Sequence, residues 1–308
     1  MRNKLRASAT LLIATIIWGS AFIAQSVGMD YIEPFTFQAV RCFLAVLGLI
    51  PIIVIKDLRS GKNFFPQWAN KRLWIGGTLC AIPLFLAVNL QQIGIVSTDA
   101  GKSAFLTAMY IVIVPLIGIF LKRKPSPIIP VCVVLAVAGL YCLSCVGAEG
   151  FRFGDLCLVL CAFMFAVQII FVDKFAPGND ALRLNLIQAL VCSVLSAIPM
   201  FLLETPDIRT ISMCSVPLCY AGFLSMGVAY SLQIVGQKNL EPSIASLIMS
   251  LESVFALLFG VLILKETMTV WESIGCILVF SAVVLSQIPF KFKKRNPPVK
   301  PGVLHMRA

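Results

Sequence analysis

Residues 243–266, SIASLIMSLESVFALLFGVLILKE, set one glutamate, Glu252, inside an apolar run that closes on Lys265 and Glu266. About 20 such residues cross the ~30 Å hydrocarbon core of a bilayer. Lipid offers no partner to a backbone amide, so the run is read as a transmembrane helix whose hydrogen bonds are all internal. Working outward from it, the same pattern recurs to give ten candidate spans, near 7–28, 34–55, 73–95, 101–121, 127–147, 155–176, 183–203, 214–236, 243–264 and 270–289. The sixth has the shortest charge-free stretch, 156–172, with Asp155 and Lys174 able to reach the two interfaces. Prolines 51, 83, 115, 130 and 199 fall inside spans, where kinks are expected. The first span imitates a signal peptide after Arg2, Lys4 and Arg6, but its uncharged run from Ala7 to Met29 is too long for one.

Composition agrees with lipid as the solvent. The 308 residues are 59% hydrophobic and 13% charged, against roughly 25% charged in an average soluble domain. A formal charge of +11 does not indicate nucleic acid here, because Lys and Arg stand in short clusters between apolar runs. Most of the eleven cysteines lie within apolar stretches and read as small hydrophobes. Cys142 and Cys145 have CxxC spacing without a second pair, and His305 is the one histidine, so neither a metal nor a cofactor is expected. With the N-terminus inside, cytoplasmic segments hold twenty Lys and Arg and the other side only four, Lys102, Arg152, Arg209 and Lys265. Both termini are therefore expected in the cytoplasm of a multi-pass inner or plasma membrane protein, with 290–308 as a basic tail attracted to anionic lipid.

Lys122 and Lys265 end spans four and nine, 143 residues apart. At that offset Ser103, Thr107 and Tyr110 fall opposite Ser246, Ser250 and Ser253, each trio on one helix face. At an offset of 147, Gln38 and Arg41 meet Asn185 and Gln188. Five spans per copy force the second copy to enter from the opposite side, so the expected fold is all-α: ten transmembrane helices as two inverted five-helix repeats, 7–147 and 154–289. Gln38, Arg41, Asn89, Gln92, Thr107 and Tyr110 then lie in the outer half, and Tyr230, Gln233, Ser246 and Ser250 in the inner half. With Gln168 and Gln188 these are candidates for a substrate pathway; the competing reading is that such groups only hold helices together.

Arg41 and Glu252 are the charges inside spans, and each must face protein or water. Arg41 holds an anionic substrate group, or Glu252 carries a coupling proton, or the two form an ion pair that locks helices together. Trp74 and Trp271 sit where interfacial anchors belong, whereas Trp18, midway along span one, is a candidate for the cavity wall.

The segments IIWGSAFIAQ, TDAGKSAFLTAMYIVIVPLIG, GDLCLVLCAFMFAVQIIFVDKFA and SIASLIMSLESVFALLFGVLILKE, with Arg41 between the first two, resemble in order and spacing the drug/metabolite transporter superfamily, the ten-span transporters with two EamA domains, over roughly 7–289. The resemblance implies a central cavity and transport, often export, of amino acids or other small polar metabolites without nucleotide hydrolysis. The residues themselves disfavour an intramembrane enzyme, since no nucleophile with a base and no carboxylate cluster appears, and no phosphate-cradling GxxxxGK[ST] occurs. A receptor or scaffold is the remaining alternative, for which short loops leave little surface. Expected partners are a small-molecule substrate, membrane lipid and, on the Glu252 reading, protons.

Overall fold

Helix starts follow local chemistry. Pro34 and Pro242 open helices after extended glutamates, where a missing N–H costs nothing. Asn70, Asp180 and Thr269 accept the first free N–H groups of three others. The computed structural model describes residues 2–61, 65–98, 100–123, 126–144, 152–265 and 268–288, and every regular element among them is helical. In order these are α1 (Arg2–Gly28), α2 (Pro34–Arg59), α3 (Lys71–Ser97), α4 (Ala100–Ala108), α5 (Tyr110–Phe120), α6 (Ile129–Ser144), α7 (Phe153–Phe175) and α8 (Ala181–Leu203). There follow α9 (Ile208–Met213), α10 (Ser215–Cys219), a π-helical stretch Tyr220–Ala229, α11 (Tyr230–Gln237), α12 (Pro242–Met249), α13 (Leu251–Leu264) and α14 (Val270–Ser286). The basic tail 290–308, with His305, and Cys145 lie outside the described residues.

Among the described residues, eight helical segments are long and apolar enough to cross a membrane. The expected fifth and tenth spans appear as the shorter apolar helices Ile129–Cys142 and Val270–Ser286. The sixth, with its short charge-free run, is an unbroken helix of 23 residues. Polarity is inside-out: Phe43, Leu47, Phe120, Phe201 and Leu262 face outward, while Gln38, Gln92, Gln168, Asn185 and Gln188 are buried. That arrangement fits a bundle bathed in lipid and polar within.

Helices α2, α3, α5 and α8 continue through prolines 51, 83, 115 and 199. The interruptions come instead at Met109 and Ser250. Near the second, Ser246 and Ser250 turn their hydroxyls onto the carbonyls of Ser243 (3.0 Å) and Leu247 (2.8 Å), competing with the helix's own amides. Spans four and nine are thus each two helices, and each ends on a left-handed lysine, Lys122 (φ 59°) and Lys265 (φ 57°). In the eighth span the π-helical stretch displaces backbone carbonyls, and the buried Asn185 donates to those of Met226 and Gly227, both at 2.9 Å.

The packing partners form a regular set. α1 lies on α13 and on the π-helical stretch with α11, while α7 lies on α4 and α5 and on α3. α2 packs on α8, α6 on α14, α4 on α13 and α5 on α12. Gly19 fixes the α1–α13 approach, because a Cβ there would lie 2.4 Å from Phe255 Cβ and 2.8 Å from the Ala256 nitrogen.

Candidate functional site

The interior where α1, α2, α3 and α5 meet α7, the π-helical stretch with α11, and α12 with α13 holds a cavity of about 450 Å³. Six residues singled out in the sequence line it: Trp18, Arg41, Tyr110, Tyr230, Gln233 and Glu252. Others were not singled out. Phe22, Phe165, Ile169 and Met249 supply an apolar wall, and Gln25, Gln91 and Ser225 add polar groups. Gln25 had a readable signal, since Trp18, Phe22 and Gln25 share one face of α1 at i, i+4 and i+7.

Both intramembrane charges open on this space, and neither meets an opposite charge. Arg41, 1% exposed, donates from Nη1 to Gln25 Oε1 at 2.7 Å, and its Nε has no protein partner. The Gln25 backbone carbonyl accepts from Gln92 Nε2 (3.2 Å), whose Oε1 accepts from Gln38 Nε2 (2.9 Å), so an amide ladder fixes Arg41's neighbour. Glu252 Oε1 accepts from the Tyr110 hydroxyl at 2.9 Å. Tyr110 stands edge-on to Phe165 with ring centres 6.4 Å apart. Trp18 meets Tyr230 edge-on at 5.0 Å. Trp18 Nε1 and Gln233 Oε1, like Arg41 Nε, are buried without a hydrogen-bond partner. Among the described residues no ion pair joins Arg41 to Glu252, so the two charges do not lock helices together in this conformation. Buried charge and unmatched donors are costly unless something else receives them.

The family model described as the EamA-like transporter family matches residues 5–145 and again 152–287. The chain belongs to the EamA-like transporter family. It is 30% identical over 289 residues to an uncharacterized transporter of Archaeoglobus fulgidus, covering 92% of this chain and 86% of that protein. It is 24% identical to the uncharacterized transporter YoaV of Bacillus subtilis, covering 92% and 97%, and 24% identical to Protein PecM of Dickeya dadantii, covering 94% of each. A solved crystal structure shares the fold at a TM-score of 0.72 and 17% identity, covering 92% of this chain and 96% of the other. The protein is therefore a multi-pass membrane transporter with a small-molecule substrate and a lipid environment, and its family and relatives are transporters, not enzymes.

In this EamA-like transporter the remaining candidates lie outside the cavity wall, some of them in hydrogen-bond ladders that reach it. Gln233 donates to Gln168 Oε1 (3.0 Å), and Gln168 donates to Gln188 Oε1 (3.2 Å), a second amide chain that ends at the cavity. Asn89 donates to the Phe85 carbonyl and to Ser196 Oγ, both at 2.8 Å. Thr107 accepts from Gln91 (3.4 Å), while Ser250 stays on its own helix. Of the two hydroxyl trios only Tyr110 reaches the cavity; Ser103 bonds the Thr98 carbonyl and Ser253 the Ala104 carbonyl. All six are buried in protein. Trp74 and Trp271 are exposed, as anchors are, and Trp74 Nε1 donates to the Trp68 carbonyl at 2.9 Å. No group of three or more His, Cys, Asp or Glu among the described residues is placed to hold a metal.

Proposed function

We propose that the protein is a secondary exporter of small polar metabolites such as amino acids, working by alternating access across an inner or plasma membrane with both termini in the cytoplasm. The observation that carries this reading is the single cavity that receives both Arg41 and Glu252, each with only a neutral side-chain partner. A molecule with a carboxylate and an ammonium group matches such a cavity charge for charge, and the apolar wall accepts its carbon skeleton. Two five-helix repeats of opposite orientation, ten spans in all, would enclose the passage. Supporting that plan, exchanging the halves maps the packing onto itself: α1 on α13 corresponds to α7 on α5, α1 on α12 to α7 on α4, and α2 with α8 and α6 with α14 correspond to themselves. The interruptions of spans four and nine add to it, since broken helices recur where inverted-repeat transporters bind substrate.

Glu252 is the group through which a coupling proton would act. Vesicles of reconstituted protein, offered a panel of radiolabelled amino acids with and without a pH gradient, test both steps. Wild type is expected to accumulate a subset of the panel under a gradient, and Glu252→Gln to keep exchange while losing accumulation. Unchanged accumulation by Glu252→Gln removes the proton from the mechanism, and no uptake of any amino acid removes the substrate class.

A further inference from the structure

A second cavity, of about 430 Å³, lies between α5, α7 and the start of α12. These helices also wall the central cavity, through Tyr110, Ile169 and Met249. Along α5 the step from Tyr110 to Val114 is one turn and along α12 that from Met249 to Ser243 less than two, roughly 6–9 Å at about 1.5 Å per residue, while on α7 the lining residues Ile169 and Ile170 are adjacent, so the two spaces are close neighbours. The walls of the second space are buried: Val114, Pro115, Gly118, Ile170 and Ser243. Its rim is charged and exposed, with Arg123 and Glu241. Arg123 pairs across the rim with Asp173 of α7. Gly118 has no atom within 4 Å of where a Cβ would stand, although the residue is buried, so it faces open space and not a neighbouring helix.

We propose that this second cavity is the water-filled mouth of the transport passage on the Arg123 side, separated from the central cavity by a barrier about one side-chain layer thick at Tyr110, Val114 and the Ile169–Ile170 pair. The inference rests on the alternating-access reading and extends it by naming where substrate enters or leaves. Arg123, Glu241 and Asp173 around its opening present a hydrated, charged entrance. Charged and polar solutes meet that rim first, and the apolar layer behind it holds back water and ions until the passage opens.

The test uses full-length protein on a background without native cysteines, in vesicles of phosphatidylethanolamine and phosphatidylglycerol. Gly118→Cys is exposed to a charged, membrane-impermeant methanethiosulfonate and, separately, to the lipid-soluble N-ethylmaleimide. Reaction with the charged reagent is the expected result; reaction with N-ethylmaleimide alone marks a lipid-filled cleft and overturns the proposal. In parallel, Gly118→Trp should fill the mouth and cut uptake of whichever amino acid the wild type carries by at least tenfold. Its monodisperse elution in detergent would show that the protein still folds. Full uptake by such a folded variant also overturns the proposal. A wild type that carries no amino acid fails the proposed substrate class instead, and the charged-reagent result at Gly118→Cys, which needs no substrate, still decides whether the mouth holds water.

Discussion

Arg41 and Arg183 are both almost wholly buried, at 1% and 3% exposure, and their surroundings differ in kind. Arg183, near the start of α8, bonds Asp57 at the end of α2, lies 3.8 Å from Asp180 and stacks 5.6 Å over the Trp68 ring. Its charge is met by carboxylates, and it ties α2 to α8 at one end of the bundle. Arg41, about a third of the way along α2, has an amide. A buried cation given its counter-charge by the protein is part of the frame, whereas one left with a neutral partner inside a cavity has its counter-charge still to come. The comparison assigns Arg183 to architecture and Arg41 to substrate.

The largest expected effects break the pair apart. Arg41→Gln should lower uptake about 100-fold, the equivalent of about 3 kcal/mol for a charge-assisted contact to an anionic group. The same change should leave the melting temperature level or raise it, since it removes an uncompensated buried charge. Asp57→Asn should do the reverse, because it strips Arg183 of its nearest carboxylate: about 3 kcal/mol of stability lost, with uptake per folded molecule little altered. Thermal melts in detergent beside vesicle uptake read both axes. If Arg41→Gln destabilised as Asp57→Asn does and transported normally, the distinction would fail.

A smaller effect asks whether the neutral-partner pattern extends to the acid. Tyr110→Phe removes the one hydroxyl that bonds Glu252, a loss of about 1 kcal/mol and hence about fivefold in uptake. Tyr110 is also the aromatic packed against Phe165, and phenylalanine preserves that contact. Tyr110→Phe with wild-type uptake would mean that the hydroxyl positions nothing used in transport.

Which residues could be found in advance follows from the same physics. Arg41, Glu252 and Trp18 stood out because a charge or an indole N–H in an apolar run must point at protein or water. Gln38, Gln92, Gln168 and Gln188 look identical in sequence to cavity groups, since an amide in a span signals burial and not whether its partner is a ligand or another amide. Here each has another amide as its partner. Gln25 is marked by its shared face with Trp18 and Phe22, whereas Gln91 and Gln92 are neighbours at the same depth and only the folded packing tells which of the two turns into the cavity. The membrane class was legible from the apolar runs alone. The interruptions at Met109 and Ser250 were not, because neither residue is a helix breaker and no proline or glycine marks either position.

The smallest effect concerns the outermost member of the Arg183 cluster. Burial alone would raise the Asp180 carboxyl, but the Lys56 ammonium, the Arg183 backbone N–H and the Arg183 charge outweigh it and hold Asp180 below the usual carboxylate range. A carboxyl whose folded value is depressed stabilises the protein above its unfolded value, near 3.9, and loses that contribution as pH falls through the folded value. Stability from Asp180 is therefore constant between pH 7 and pH 5 and declines only below about 4. Lys56 is 48% exposed and Asp180 24%, so water screens the pair and the contribution is about 0.5 kcal/mol. Asp180→Asn should lower the melting temperature slightly at pH 7, and the gap to wild type should narrow at pH 3.5. No gap at either value would mean that Asp180 acts only as the N-cap of α8, through its bond to the Arg183 N–H at 3.1 Å, which asparagine can also accept. In that case Arg183 would depend on Asp57 alone, and the contrast with Arg41 would rest on a single carboxylate.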